Sequence, residues 1–349
     1  MQVFPRILGL GTANPPHRYA QREIYDFAAQ HVETYRNRRV ESIFMSSDID
    51  YRYLSFDIAS LDPRESADEL HRRFTEHSVL MGVDSIQRCL HDAGRTSDDV
   101  DYIVAVSCTG YLCPGLSAIL SKELGMRRDV QRADLVGMGC AGAMPGLQRA
   151  FEYVRAYPER TALVVTVEVC SACYYVDDSL ETVVGNAICA DGAAAVLVGN
   201  AEKVRMPALI QFETLLEPSY IDTVGFQFKS GKLRIVLSKD IRDVAGGLAD
   251  QVVRNLLSHG GVRKDDVKHW IVHSGGRKVI DSIKEEVGLS EDQLTSSRRV
   301  LREFGNMSSP TVLFVLHDML AHAQPEPGDI GVLLAMGPGL AIESGLVRW

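Results

Sequence analysis

Two hydrophobic rhythms take turns along this chain. Short runs of β-branched and aliphatic residues, such as YIVAVS at 102–107 and TALVVTVEV at 161–169, alternate with longer stretches whose apolar residues recur every third or fourth position. The first rhythm predicts strands over 7–10, 102–107, 133–138, 161–169 and 193–198, and again over 209–213, 233–237, 269–273 and 329–336. The second predicts helices over 66–93, 116–124, 143–156, 241–258, 277–287 and 311–322. Strands that alternate with helices imply a layered α/β fold.

The pattern also repeats. A strand at 133–138 runs through small residues into a helix from Ala143, and a strand at 269–273 runs through Ser274, Gly275 and Gly276 into a helix from Arg277. Each half carries a late strand rich in small residues, CADGAAAVLVG at 189–199 and IGVLLAMGPG at 330–339. We therefore expect one α/β unit duplicated into halves 1–203 and 204–349, joined in the polar stretch 200–206.

Composition narrows the classes. The 349 residues are 46 % hydrophobic and 24 % charged, the balance of an ordinary globular protein. No apolar run reaches the ~18 residues that cross a bilayer. The first residues show no basic segment followed by a long apolar one, so a cytoplasmic protein is expected. A net charge of −9 argues against a nucleic-acid partner. An anionic ligand would need locally gathered cations, and Arg36, Arg38 and Arg39 form one such cluster. The seven cysteines are odd in number, which fits free thiols in a reducing compartment better than a disulfide framework.

One of those thiols stands apart. In DLVGMGCAGAMPGL a strand ends at Gly137, Cys140 follows, and a helix begins after Gly142. The glycines match G-x-G-x-x-G, but no acidic residue ends a following strand where a ribose contact would need it. A nucleophile elbow is the other reading, because a helix start offers free N–H groups and a dipole end that favour a thiolate. A buried structural cysteine is the third. His273 closes the apolar run Trp270-Ile271-Val272 and precedes two glycines, the strand end where α/β folds gather their sites. Asn306, between Gly305 and Ser308-Ser309-Pro310, could donate to an oxyanion or simply cap a turn. Gly337-Pro338-Gly339 makes a rigid loop suited to a plain hairpin or a pocket floor. Cys170 and Cys173 have redox spacing without a helix start behind them, and read as structural.

Cys, His and Asn in that order, each in a glycine-rich setting, resemble the thiolase superfamily and more closely the type III polyketide synthases of the chalcone synthase family. The carrying segments are VGMGCAGAMPGL, WIVHSGGRKVID, FGNMSS, MGPGLAIE and VVGNAICADGAAAVLVG, and the likeness runs from about Ile7 to Trp349. DIDYRYL, HWIVHSGG and GDIGVLLAMGPG resemble one branch in particular, the bacterial 3,5-dihydroxyphenylacetyl-CoA synthases. The resemblance implies a thiolase-like fold with a duplicated, layered α/β/α/β/α core. It implies an acyltransferase that condenses malonyl-CoA iteratively and cyclises a short polyketide, using CoA thioesters as substrates and no metal or redox cofactor. It implies that Cys140 accepts the acyl group, that His273 holds it as a thiolate and binds the thioester carbonyl, and that Asn306 joins His273 in stabilising the enolate. Tyr174, Cys108 and Cys113 would line the cavity, Cys113 beside a second subunit of a homodimer. Cys189 stands where the family's first gatekeeping aromatic is expected, and Phe228 matches the second. Arg39 keeps one CoA-phosphate position while Ser42 and Ser46 replace two others, so Arg36, Arg38 and Lys278 are expected to help. Dehydratase-type enzymes would act on the product. Alternatives to this reading are another type III product (alkylpyrone, alkylresorcinol or tetrahydroxynaphthalene), a single condensation as in ketoacyl synthase III, and a non-catalytic subunit that binds CoA esters.

Overall fold

The protein is described as a computed structural model covering residues 4–62, 64–177, 179–201, 206–238 and 241–349, with the backbone only at Ser60 and Arg242. Its strands are β1 (Arg6–Ala13), β2 (His17–Ala20), β3 (Tyr51–Leu54), β4 (Tyr102–Ser107), β5 (Gln131–Val136), β6 (Ala162–Val169), β7 (Asp191–Gly199), β8 (Ala208–Leu216), β9 (Val224–Lys229), β10 (Lys232–Leu237), β11 (Val267–Val272), β12 (Ile330–Gly337) and β13 (Ala341–Arg348). The helices are α1 (Gln21–His31), α2 (Arg38–Met45), α3 (Ala67–Asp92), α4 (Leu116–Glu123), α5 (Ala143–Ala156), α6 (Leu180–Ile188), α7 (Ile241–Gly260), α8 (Arg277–Val287), α9 (Thr295–Phe304) and α10 (Thr311–His322).

Nine strands form one mixed sheet in the order β11-β12-β13-β8-β1-β7-β6-β4-β5. The order contains the expected repeat. Outward from its middle, β1-β7-β6-β4 pairs antiparallel, antiparallel, then parallel, and β8-β13-β12-β11 does the same. The halves meet through a single pairing, Arg6 with Ala208. The expected boundary at 203/204 lies outside the described residues.

Three apolar clusters give the layers. Leu8, Ile103, Leu163 and Leu197 pack beneath α3 on one outer side. Trp270, Val272 and Leu334 pack against α7 and α8 on the other. Between the half-sheets, Met144 and Leu147 of α5 and Leu313 and Leu316 of α10 share a cluster with Val106, Val164, Ile271 and Leu333. The result is the α/β/α/β/α stack that the family resemblance implied. It explains why β6 and β7 read as mostly apolar runs rather than alternating ones, since strands covered on both faces have no polar side to alternate with.

Helices expected at 143–156, 277–287 and 311–322 occur at those bounds. Four strands and four helices were not expected. They are β2, β3, β9 and β13, and α1, α2, α6 and α9. No helix among the described residues is long and apolar enough to cross a membrane.

Candidate active site

The turn that carries Cys140 is built by glycine. After β5, Gly137 (φ 76°) and Gly139 (φ 50°) take left-handed backbone that side chains rarely adopt. A Cβ on Gly139 would lie 2.3 Å from Pro338 Cδ. A Cβ on Gly337 would lie 2.6 Å from the Met138 carbonyl, so the Gly337-Pro338-Gly339 loop of one half sits directly on the Cys140 turn of the other. Cys140 follows in a single 3₁₀ turn, Gly139–Ala141, and α5 starts at Ala143.

Asn306 enters from the second half. Its backbone N–H donates to Ile188 O (2.9 Å), while Ala190 N–H donates to Asn306 O (2.8 Å). Its carboxamide is oriented by two bonds: Ser308 N–H donates to Oδ1 (2.8 Å), and Nδ2 donates to Gly275 O (3.1 Å). The thiol of Cys140 lies 3.9 Å from Oδ1 and 4.0 Å from Nδ2. Asn306 therefore ties the Cys140 turn to the loop that follows His273.

His273 lies just past the end of β11. It is 3 % exposed, its N–H donates to Leu334 O, and both ring nitrogens lack a hydrogen-bond partner among the described residues. No hydrogen bond joins it to Cys140. Burial alone pulls its imidazole down to about 4, which favours the neutral ring. Burial also pushes the Cys140 thiol up to about 12, with Ser308 and Asn306 opposing more weakly. Desolvation thus disfavours the charged form of both groups, the direction opposite to the expected thiolate–imidazolium pair. Alkylation needs the thiolate, whose fraction grows tenfold per pH unit below the pKa. Iodoacetamide labelling of Cys140, followed by peptide mass mapping, should therefore accelerate roughly tenfold per unit from about pH 7 to 10. A rate that stays level from pH 6 to 9 would mean that a preformed ion pair exists.

The sulfur faces a cavity of about 630 Å³, its mouth included, lined by Cys108, Cys140, Cys170, Cys173, Tyr174, Cys189 and Asn306 among others. Cys108, Tyr174, Cys189 and Pro338 are among its lining residues. Phe228 is not: it is 81 % exposed near the outer end of the β9–β10 hairpin, while Val224, Gly225 and Phe226 at the inner end face the cavity. Cys113 is exposed and lies outside this cavity. Gly337 and Gly339 support the Cys140 turn and the loop rather than line the space. Arg39 and Lys278 are exposed, and Arg36 is engaged with the Ala29 and Gln30 carbonyls at the end of α1.

Two residues of the site went unread. Glu168, fully buried at the end of β6, accepts hydrogen bonds from Cys108 N–H (3.0 Å), Thr109 N–H (3.2 Å), Thr109 Oγ1 (2.9 Å) and Ser309 Oγ (2.6 Å). It joins the cavity wall of one half to the Asn306 loop of the other, and burial raises its carboxyl against those bonds. The signal for it was present, one carboxylate in an otherwise apolar strand. Arg52, fully buried on β3, donates to Gln21 Oε1, Tyr174 Oη and the Asn186 and Cys189 carbonyls. No group of three or more potential metal ligands occurs among the described residues.

Residues 53–259 match the family model for FAE1/type III polyketide synthase-like proteins, and residues 216–349 match the C-terminal domain of chalcone and stilbene synthases. The chain is 36 % identical over 356 residues to a 3,5-dihydroxyphenylacetyl-CoA synthase of Streptomyces toyocaensis, covering 99 % of this chain and 90 % of that protein. This chain belongs to the type III polyketide synthases. As a type III polyketide synthase it is an acyltransferase of the class that condenses CoA thioesters. Another relative, 33 % identical over 98 % of this chain and 93 % of its own length, is a 1,3,6,8-tetrahydroxynaphthalene synthase of Streptomyces peucetius subsp. caesius. The crystal structure of PKS-I from the brown alga Ectocarpus siliculosus superposes with a TM-score of 0.93 at 31 % identity, covering 100 % of this chain and 99 % of that one.

Proposed function

We propose that this type III polyketide synthase builds 3,5-dihydroxyphenylacetyl-CoA from malonyl-CoA on Cys140, with His273 and Asn306 as its partners. The observation that carries the reading is the meeting of Cys140 and Asn306, one from each half, at the wall of a largely apolar cavity. The full-length likeness to a synthase of that product supports the choice of product.

Loading begins with a neutral thiol. His273, uncharged and with both nitrogens free, is a base available to take the thiol proton once its ring turns toward the sulfur. The S–C bond to the acyl group then forms, the bond to CoA sulfur breaks, and CoA leaves with that proton. A malonyl thioester next loses carbon dioxide, and its electrons collect on the thioester oxygen. Asn306 Nδ2–H, and a His273 N–H once its ring has turned toward the sulfur, are the donors to that enolate, each of the kind worth roughly 3–4 kcal/mol at an oxyanion. The enolate carbon attacks the acyl carbonyl and expels the Cys140 thiolate. An apolar cavity keeps water from the reactive chain. These steps call for no metal or redox cofactor.

Mass spectrometry of products formed from malonyl-CoA alone tests this. A CoA ester with the mass of 3,5-dihydroxyphenylacetyl-CoA is expected. A naphthalene product or an alkylpyrone would replace the proposed product while keeping the family chemistry. A requirement for a carrier protein, or no carbon dioxide release at all, would remove the reading.

The remaining expectations join this proposal. Each half of the duplicated fold supplies part of the site, with halves 1–203 and 204–349. The exposure of Tyr111 (70 %), Val136 (57 %) and Cys113 along the β5 edge supports a homodimer through that edge. Light scattering should give twice the chain mass, and a monomer at micromolar concentration would count against it. Exposed Arg39 and Lys278 are the cations offered to the CoA phosphates. A cytoplasmic enzyme that hands its product to dehydratase-type partners fits the free cysteines and this chemistry.

A further inference from the structure

Five of the chain's seven cysteines, Cys108, Cys140, Cys170, Cys173 and Cys189, line the cavity that Cys140 faces, and all seven are free thiols. Their spacing in the chain would pair Cys170 with Cys173. The fold pairs them differently. Both lie in the short 3₁₀ turn after β6, but the Cys173 thiol is engaged elsewhere, donating to Thr109 O (3.2 Å). Cys170 meets Cys189. β6 and β7 pair antiparallel as far as Val169 opposite Asp191, and one further step of that register sets Cys170 opposite Ala190, beside Cys189. The two thiols hydrogen-bond, and this bond raises the Cys170 thiol more than burial does, which makes Cys170 the donor and the Cys189 sulfur the acceptor.

Cys189 sits in the segment that holds Asn306. Ile188 O accepts from the Asn306 N–H, Ala190 N–H donates to Asn306 O, and Cys189 forms the bridge between them. Its own carbonyl is held by Arg52 Nη1 (2.7 Å) and Tyr174 Oη (3.0 Å). A covalent bond to Cys170 would draw this segment toward the end of β6 against those ties, and Asn306 with it. A positioned catalytic group loses most of its value when displaced by about 1 Å.

We propose that Cys170 and Cys189 are a reversible redox switch: a hydroperoxide converts the two thiols into a disulfide in the cavity wall, and the closed bond slows decarboxylation by displacing Asn306. The Cys189 sulfur attacks one peroxide oxygen. The S–O bond forms, the O–O bond breaks, and the thiol proton leaves in water. The Cys170 sulfur then attacks the sulfenic sulfur, the S–S bond forms as the S–O bond breaks, and the second proton leaves in a second water. The two sulfurs give up the two electrons that reduce the peroxide, and a dithiol reductant returns them. The effect on activity rests on Asn306 as the enolate donor; the bond itself does not.

The bond is tested in Cys140→Ala, where the nucleophile takes no part. Hydrogen peroxide should remove the mass of two hydrogens. Glu181 lies between Cys173 and Cys189, so a Glu-specific protease should leave the Cys170 and Cys189 fragments joined until dithiothreitol is added. Cys173→Ala should keep this link and Cys170→Ala should abolish it. The switch is tested with Cys140 in place, as carbon dioxide release from malonyl-CoA before and after dithiothreitol, so that each protein is its own reference. Peroxide should cost the unaltered protein at least about tenfold in reversible activity, and Cys170→Ala much less. Should Cys170→Ala fail to fold, Cys189→Ala serves in both arms. No link between the fragments, or one that needs Cys173, overturns the pair. An equal reversible loss in Cys170→Ala overturns the switch. Absence of carbon dioxide release from the reduced, unaltered protein would instead overturn the proposed function.

Discussion

Replacing Cys140 by alanine is expected to leave no acyl group on the protein and to lower product formation by at least about 10⁴-fold, the scale on which removing a covalent nucleophile acts. The fold should persist. The turn is shaped by the left-handed Gly137 and Gly139 and by Pro338 packed on Gly139, none of which depends on the sulfur. The other cavity thiols are poor substitutes. Cys108 is bonded toward Glu168 and Ser308, and burial together with the Glu168 charge pushes its thiol far up. Cys173 donates to the Thr109 carbonyl and is pushed up in the same way. Intact-mass spectra after exposure to an acyl-CoA decide the matter. An acyl adduct that survives in the variant would transfer the nucleophile to another sulfur.

Much of this site could be read from the chain because its parts leave local signs. Gly139 and Gly142 around Cys140, and Gly305 just before Asn306, mark backbone that must turn sharply or let another segment close in, and both turns do so. The duplicated strand pattern was legible because strands covered on both faces are mostly apolar. What escaped notice follows from the opposite condition. β13 reads AIESGLVR, and its buried Glu343 breaks the apolar run. That carboxyl is raised to about 7 by burial despite the bond from Thr214, an arrangement made by tertiary packing rather than local pattern. α9 is short and mostly polar, with only Ser297, Val300 and Leu301 buried.

Phe228 and His273 show a different limit. Family position placed Phe228 at the cavity, yet the β9–β10 hairpin forms a separate two-stranded sheet whose outer end projects from the body. Sequence order cannot reveal which end of a hairpin faces inward. For His273, the chain located the residue at a strand end correctly but could not give the direction of its ring. Arg52 was hidden because a fully buried guanidinium without a carboxylate partner is rare, and nothing in DIDYRYL announces the carbonyls that receive it.

Asn306→Ala should lower carbon dioxide release from malonyl-CoA by about 10²–10³-fold, the cost of losing one oriented donor at a developing oxyanion. The carboxamide is fixed before substrate arrives, with Oδ1 held by the Ser308 N–H and Nδ2 by the Gly275 carbonyl, which leaves the second Nδ2 hydrogen for the enolate oxygen. Acyl loading of Cys140 should fall less steeply, because that step needs a base more than this donor. His273→Ala should depress loading and decarboxylation together, since one ring is asked to serve both. Its melting temperature should hold, because the imidazole nitrogens bond to nothing that would be left unpaired. Radiolabelled carbon dioxide release and intact-mass loading, measured side by side on the two variants, separate these roles. Equal losses in both steps for Asn306→Ala would instead make the carboxamide a brace for the Cys140 turn, acting through its tie to the Gly275 loop rather than on the enolate.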